Sequence, residues 1–173
     1  EERWKDTLFT DSRITGLSNI EITPDFSAKL GMAYGVFAGL DSKILISRDI
    51  DNVSLMIKGS ITSGLLSSGV TVLDYQTTPI PILRQELGKG KASGGIFVRK
   101  SPFDSSRCDI IFFDSNGKDL SSAKIKSIER LVISNDARPI PFDKIGSINY
   151  AERTYESYSE RFISLLDKEV INR

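Results

Sequence analysis

Apolar residues follow two spacings along the chain, one typical of helices and one typical of buried strands. In residues 23–38 they lie three or four positions apart on one helical face, and Thr23 and Pro24 supply an N-cap and a first helical residue. The same spacing recurs in three other segments and predicts helices there: residues 52–69, 121–133 and 151–171.

Short apolar runs separate these helices and indicate buried strands. Three of them are residues 43–47, 70–75 and 94–99. A fourth begins at residue 108 and is followed by a tight turn at Asn116-Gly117. Residues 77–90 are expected to form a loop and a short helix. Residues 135–150 contain turn-type prolines and glycines and are expected to be irregular.

Strands that alternate with helices of this length predict βαβ units with right-handed crossovers. The expected fold is a three-layer α/β/α domain with a mixed, mostly parallel sheet. We expect residues 1–134 to form this domain and residues 135–150 to be a linker. Residues 151–173 should be a helix that leads toward a further domain, absent from this chain.

Composition and charge restrict the classes of function. The 173 residues contain 23 Lys and Arg against 23 Asp and Glu, so there is no net basic field and nucleic acid is not an expected partner. No apolar run approaches the ~20 residues that span a bilayer, so no membrane partner is expected. The single cysteine, Cys108, favours a reducing compartment, and we expect a cytoplasmic location. Because the chain starts at Glu rather than Met, we expect it to be a piece of a longer protein.

The sequence contains no histidine. This absence excludes histidine-based acid–base catalysis, Ser-His-Asp triads and most zinc sites within the chain. Any chemistry here must use carboxylates, lysine, arginine, tyrosine or serine, or groups that lie outside this chain.

Polar residues follow two of the predicted strands at the point where each strand ends. Arg48 comes directly after residues 43–47, and Arg99, Lys100 and Ser101 come at the end of the strand that starts at residue 94. If the two strands are parallel, these side chains meet at one edge of the sheet, where α/β proteins bind ligands. Such a cluster could hold a phosphate. The alternative is two solvated loops with ordinary charges, which the composition alone favours.

Several segments resemble domain 1 of the α-D-phosphohexomutases, the phosphoglucomutase/phosphomannomutase family. The stretch "GGIFVRKSPFDSS" at residues 94–106 is similar to the family's serine loop, and "ILISRDID" at residues 44–51 is similar to its V-G-R-D segment. The stretch "LFTDSRITG" resembles the family's N-terminal motif, and "GLLSSGVTVLDYQTTPIP" resembles a later run. The resemblance extends from residue 8 to about residue 133.

This resemblance implies one domain of a four-domain mutase, with the other domains of the polypeptide outside this chain. In the family a phosphoserine, at the position of Ser101, exchanges its phosphoryl group with a hexose phosphate such as glucose or mannose phosphate. A Mg²⁺ ion is held by that phosphoserine and by three aspartates of domain 2. Those aspartates are absent here, so the chain itself has no expected metal ligand other than a phosphorylated Ser101.

The residues that the family uses for phosphoryl transfer are the ones that differ here. Around Ser101, the family's Thr-Ala is replaced by residues 99–100 and its His-Asn by residues 102–103. Ile111 stands where the family has a catalytic lysine. Because phosphoryl transfer depends on positioned charge, these losses predict a catalytically degenerate domain and an inactive isolated chain.

Some cations remain that could bind phosphate. In the N-terminal motif the family's arginine is replaced by Thr15, but Arg13 lies two residues before it. Arg48 and its neighbour Asp49 are retained. The candidate phosphate-binding residues are therefore Arg13, Arg48, Arg99 and Lys100.

Two interpretations of the function remain open. In the first, Ser101 is the phosphoryl carrier of a hexose phosphomutase completed by domains 2 to 4. In the second, the domain is a non-catalytic module that binds a sugar phosphate or regulates an attached enzyme. The loop sequence is similar to the degenerate mutase region fused to nucleotidyltransferases of the mannose-1-phosphate guanylyltransferase type. The residues of the loop favour the second interpretation for mechanism.

Overall fold

The computed structural model describes residues 8–152 and 154–166, which form one sheet between two layers of helices. The strands are β1 (Arg13–Leu17), β2 (Lys43–Arg48), β3 (Thr71–Thr77), β4 (Gly94–Lys100), β5 (Arg107–Asp114) and β6 (Ile148–Tyr150). The helices are α1 (Pro24–Ala38), α2 (Asn52–Ser67), α3 (Ile80–Gly88), α4 (Ser122–Ser134) and α5 (Thr154–Leu165). Within these ranges no helix has both the length and the apolar character needed to cross a lipid bilayer.

The strand order in the sheet is β1-β5-β4-β2-β3-β6. The four strands β4, β2, β3 and β6 pair in parallel, whereas β5 is antiparallel to both of its neighbours, β1 and β4. Helices α1, α2 and α4 cover one face of the sheet, and α3 lies on the other. The predicted three-layer α/β/α fold with a mixed, mostly parallel sheet is confirmed.

Alternation of side chains along β4 separates the two cores. Ile96 and Val98 belong to the larger cluster beneath α1, α2 and α4, which we call the α2 face of the sheet. Phe97, between them, packs with Leu83 and Leu87 of α3 on the opposite side, the α3 face. Any residue of β4 can therefore be assigned to a face from its position in the strand.

Helices α1 and α2 approach each other closely because glycines stand at the contact. A Cβ added at Gly31 would lie 2.2 Å from the carbonyl oxygen of Ile61, and one added at Gly64 would lie 2.0 Å from that of Ala28. Neither distance is possible between real atoms, so the packing of the two helices requires glycine at both positions.

Two strands lie where the sequence predicted none. β1 begins within the N-terminal motif at residues 8–16. β6 lies within residues 135–150, which were expected to be irregular. β6 is three residues long and mostly exposed, so it has no apolar pattern to reveal it. Main-chain bonds hold it: Val72 donates to Ser147 O at 2.7 Å, and Ala151 donates to Asp74 O at 2.9 Å. The division of the chain into domain, linker and following helix stays a prediction.

The predicted C-terminal helix is confirmed over Thr154–Leu165, and residues 167–173 lie outside the described residues. The hydroxyl of Tyr155 donates to Thr77 O at 2.7 Å and attaches α5 to the end of β3. The aromatic face expected to pack is only partly covered, because Phe162 remains 53% exposed.

We predict that Gly64→Ala destabilises the domain, because the new methyl group forces α1 and α2 apart. The free energy of unfolding should fall by about 2 kcal/mol or more. Urea denaturation followed by circular dichroism measures it. Gly59→Ala in the same helix is the matched control, since a Cβ there meets no atom within 4 Å. It should raise stability by about 0.5–1 kcal/mol. Equal effects of the two substitutions would contradict the described helix contact.

Cys108 should be unreactive until the domain unfolds. Its side chain is fully buried, and burial, together with the negative charges of Asp109, Asp49 and Asp51, raises the pKa of its thiol to about 12. At pH 8 the thiol therefore stays protonated and inaccessible. Ellman's reagent should react slowly with the native chain and completely in urea. Rapid stoichiometric reaction of the native chain would show that β5 is not buried as described.

Candidate functional site

Ser101 follows β4 directly and is almost buried, with 7% of its surface exposed. Its main-chain N–H donates to Arg107 O at 2.9 Å, which closes the loop between β4 and β5. Its hydroxyl oxygen accepts a hydrogen bond from the N–H of Phe103 at 3.4 Å. The Ser101 hydroxyl thus contacts the backbone of its own loop.

The rest of this loop is held by a carboxylate. Asp104 accepts hydrogen bonds from the N–H of Ser106 at 2.9 Å and from its hydroxyl at 2.6 Å. Arg107 Nε lies 3.4 Å from the other carboxylate oxygen. The hydrogen bonds from Ser106, with a smaller contribution from the charge of Arg107, lower the pKa of Asp104. The loop is therefore a turn fixed mainly by its own residues.

Asp49 fastens the Ser101 loop to the end of β2. One of its carboxylate oxygens accepts the N–H of Lys100 at 2.8 Å, and the other accepts the N–H of Asp51 at 3.0 Å. Its own N–H donates to Val98 O at 3.0 Å. Because Arg48 is also paired with Val98, Arg48 and Ser101 lie at the same edge of the sheet, as predicted.

The four predicted phosphate-binding cations lie on two different faces of the sheet. Arg48 and Lys100 occupy positions that face α2, as shown by the contact of Lys100 Nζ with Asp51 Oδ2 at 3.4 Å. Arg99 and Arg13 occupy positions on the α3 face. The structure therefore divides the four cations between two faces, and they do not form one cluster.

On the α2 face the cations are already engaged. Arg48 donates from Nη1 to Asp49 O at 2.6 Å, while its buried Nε has no hydrogen-bond partner among the described residues. Asp51 caps α2 by accepting the N–H of Val53 at 2.9 Å. This bond, and the charge of Lys100, lower the pKa of Asp51. Lys100 thus faces a carboxylate that stays ionised.

On the α3 face a buried carboxylate joins three strands. Asp109 of β5 is 1% exposed and accepts a hydrogen bond from the Thr15 hydroxyl at 2.9 Å. Its second oxygen accepts the Nε–H of Arg99 at 3.0 Å. Thr15, Asp109 and Arg99 are direct cross-strand neighbours in β1, β5 and β4. These three residues form a row across the strands, and its hydrogen bonds hold the Arg99 side chain against the sheet.

A cleft of about 300 Å³ opens on the α3 face beside this row, and we call it the arginine cleft. Arg13 and Arg99 line it together with Arg84 of α3. The sequence contained no signal for Arg84, because its position depends on how α3 packs against β5. Ile111, the residue at the family's lysine position, forms part of the cleft wall.

The described residues do not fit a Mg²⁺ site of their own. No group of three or more carboxylate, histidine or cysteine side chains comes together within residues 8–152 and 154–166. The carboxylates of Asp49 and Asp51 at this edge of the sheet are occupied by backbone N–H groups and by Lys100. A metal bound at this edge would need ligands from outside the described chain.

Curated proteins of known family are similar to this chain in sequence. The phosphoglucomutase/phosphomannomutase of Thermococcus kodakarensis is 28% identical over 170 residues, which cover 96% of this chain and 37% of that protein. The phosphoglucosamine/phosphogalactosamine mutase of Sulfurisphaera tokodaii is 29% identical over 167 residues, with coverage of 96% and 37%.

Solved structures match the fold at lower identity. A crystal structure of a phosphoglucomutase/phosphomannomutase family protein from Burkholderia thailandensis gives a TM-score of 0.77 at 17% identity and covers 92% of this chain and 36% of that one. The open form of parafusin, a phosphoglucomutase from Paramecium, gives 0.67 at 13% identity, with 91% and 34% covered.

The chain spans little more than a third of the length of these relatives. Residues 6–139 match the family model described as "Phosphoglucomutase/phosphomannomutase, alpha/beta/alpha domain I". This match covers most of the chain, and the fold agrees with that of the solved structures. The chain belongs to the phosphoglucomutase/phosphomannomutase family and contains its α/β/α domain I.

Proposed function

We propose that this chain is the N-terminal domain of a phosphohexomutase-like protein that binds a hexose phosphate but has lost phosphoryl transfer at Ser101. The family of the domain supports the ligand class, which is glucose or mannose phosphate. The environment of Ser101 supports the loss of transfer. The family reaction would interconvert hexose 1-phosphate and hexose 6-phosphate through a phosphoserine.

The observation that carries this proposal is the set of contacts made by the Ser101 hydroxyl. A serine hydroxyl is a weak nucleophile at neutral pH and needs an adjacent base. Among the described residues, the Ser101 hydroxyl oxygen accepts a hydrogen bond from the N–H of Phe103. This N–H is a donor and cannot accept the hydroxyl proton. Pro102 next to it supplies no donor and no base. The loop therefore holds Ser101 without activating it.

The nearby cations do not replace the missing groups. Lys100 faces Asp51, and Arg99 is bound to the buried Asp109 on the opposite face. Catalysis of phosphoryl transfer needs positive groups aimed at the charge of the transition state. The loss of several such groups costs several kcal/mol of transition-state stabilisation, and each ~1.4 kcal/mol is a tenfold change in rate.

The similarity of the loop to nucleotidyltransferase fusions supports a second candidate, in which the domain is a sugar-phosphate-binding or regulatory module of a mannose-1-phosphate guanylyltransferase-type enzyme. The complete reading frame distinguishes the two. A nucleotidyltransferase motif upstream supports the fusion. A downstream Asp-Gly-Asp-Gly-Asp-Arg loop, whose aspartates would hold Mg²⁺, supports a complete mutase. Cytoplasmic location stays a prediction in both cases.

We predict that Ser101 does not accept a phosphoryl group. The chain, and the full-length protein that carries it, are incubated with Mg²⁺ and glucose 1,6-bisphosphate and analysed by intact mass spectrometry. The expected spectrum shows no added phosphoryl group, because the described contacts of the Ser101 hydroxyl include no base that could take its proton. An active phosphohexomutase treated in parallel should become phosphorylated.

Ser101→Ala is the matched variant for this measurement. It should likewise show no added phosphoryl group. Stoichiometric phosphate on the unchanged protein that is lost in Ser101→Ala would overturn the non-catalytic proposal and restore Ser101 as the phosphoryl carrier.

A further inference from the structure

The arginine cleft lies on the α3 face of the sheet, whereas the cations at the end of β2 and at Lys100 face α2. Its walls come from β1, β4, β5 and α3, so it is assembled from residues that are distant in sequence. Arg13, Arg84 and Arg99 contribute guanidinium groups from three of these elements.

Arg84 is held in place by three contacts. It donates from Nη1 to Gly117 O at 2.8 Å and from Nη2 to Asp119 Oδ1 at 2.7 Å. Its guanidinium carbon lies 4.6 Å from the centre of the Phe113 ring, a cation–π distance. A guanidinium fixed in this way loses little conformational entropy when a ligand binds beside it.

The other two arginines have N–H groups that make no hydrogen bond among the described residues. Arg99 uses its Nε–H for Asp109, and among the described residues its two Nη groups have no recorded partner. The side chain of Arg13 makes no recorded hydrogen bond or ion pair within the described part of the chain. Each guanidinium has five N–H groups, so the cleft contains more donors than acceptors.

The charge and shape of the cleft restrict its ligand. Three guanidinium groups and two carboxylates, Asp11 and Asp119, line it, and the buried Asp109 pairs with Arg99 behind the wall, so the three positive charges are balanced by three carboxylates. Arg13 is the arginine of this lining that has no ion pair within the described part of the chain. Asp119 is already paired with Arg84. Ile80 and Ile111 form apolar parts of the wall. The volume of about 300 Å³ is at the lower end of the range for small-molecule sites.

We propose that the arginine cleft binds the phosphate group of a phosphomonoester, with Arg13 and Arg99 as direct donors and Arg84 as a fixed third guanidinium. The planar fork of arginine matches phosphate oxygens, and the apolar wall accommodates the carbon-bound hydrogens of an attached sugar. The inference rests on the proposed function for its ligand class, hexose phosphate. It places that ligand on the α3 face rather than at the Ser101 hydroxyl.

Isothermal titration calorimetry at low ionic strength tests this site, with glucose 6-phosphate, inorganic phosphate and glucose as titrants. The unchanged chain should bind the first two saturably and glucose not at all. Arg13→Gln and Arg99→Gln should each weaken glucose 6-phosphate binding about tenfold or more, in line with the ~1.5–3 kcal/mol of a hydrogen bond to a charged group. Arg13→Gln breaks no recorded contact, so it tests the site without disturbing the fold.

Arg130→Gln is the control for charge alone, because Arg130 is exposed on α4 in the opposite helix layer. It should bind glucose 6-phosphate as the unchanged chain does. Equal binding by the cleft variants and Arg130→Gln would overturn the cleft as the site, while hexose phosphate binding itself would stand. Weaker binding only in Arg48→Gln would place the site at the Ser101 edge instead. No saturable binding by the unchanged chain at tens of millimolar would contradict the proposed function as well.

Discussion

The buried carboxylate of Asp109 is the constraint on which the arrangement of this domain depends. It is 1% exposed, and a charge buried that deeply must be paired. Thr15 and Arg99 provide the partners from the strands on either side. Removing one partner from a buried pair typically costs about 3–5 kcal/mol, so Arg99 is held on the α3 face by folding itself. The position of the Arg99 side chain is therefore coupled to the stability of the sheet.

In the proposed account, this pairing separates the phosphate-binding arginines of the cleft from Lys100 at the serine loop. Adjacent residues of a strand point to opposite faces, so Arg99 on the α3 face leaves Lys100 on the α2 face. There Lys100 meets Asp51, and Asp49 binds its N–H. Lys100 is therefore paired with a carboxylate, while Arg13 and the two Nη groups of Arg99 keep N–H donors without a partner among the described residues. Under the proposed function, these contacts would let the domain keep affinity for a phosphorylated ligand without phosphoryl transfer at Ser101.

The sequence predicted the helices and the four central strands because apolar periodicity reports burial directly. It did not reveal β1 and β6, which are short and depend on main-chain bonds to neighbouring strands. It placed Ser101 and Arg48 at one edge of the sheet correctly, since that follows from parallel pairing. It did not separate Arg99 from Lys100, although strand alternation alone requires the separation. Arg84 could not be found from the sequence, because its place comes from tertiary packing of α3 on Phe113.

The most direct measurement is a phosphate titration of the ¹⁵N-labelled chain by NMR, which observes the arginine cleft and the serine loop in one experiment. Binding in the arginine cleft should give saturable shifts of the side-chain Nε–H resonances of Arg13 and Arg99. The backbone amides of Lys100 and Phe103, which report on the serine loop, should not move saturably. Saturable shifts of Lys100 and Phe103 with unchanged Arg13 and Arg99 resonances would show that phosphate binds at Ser101. That result would contradict the separation of phosphate binding from the serine loop.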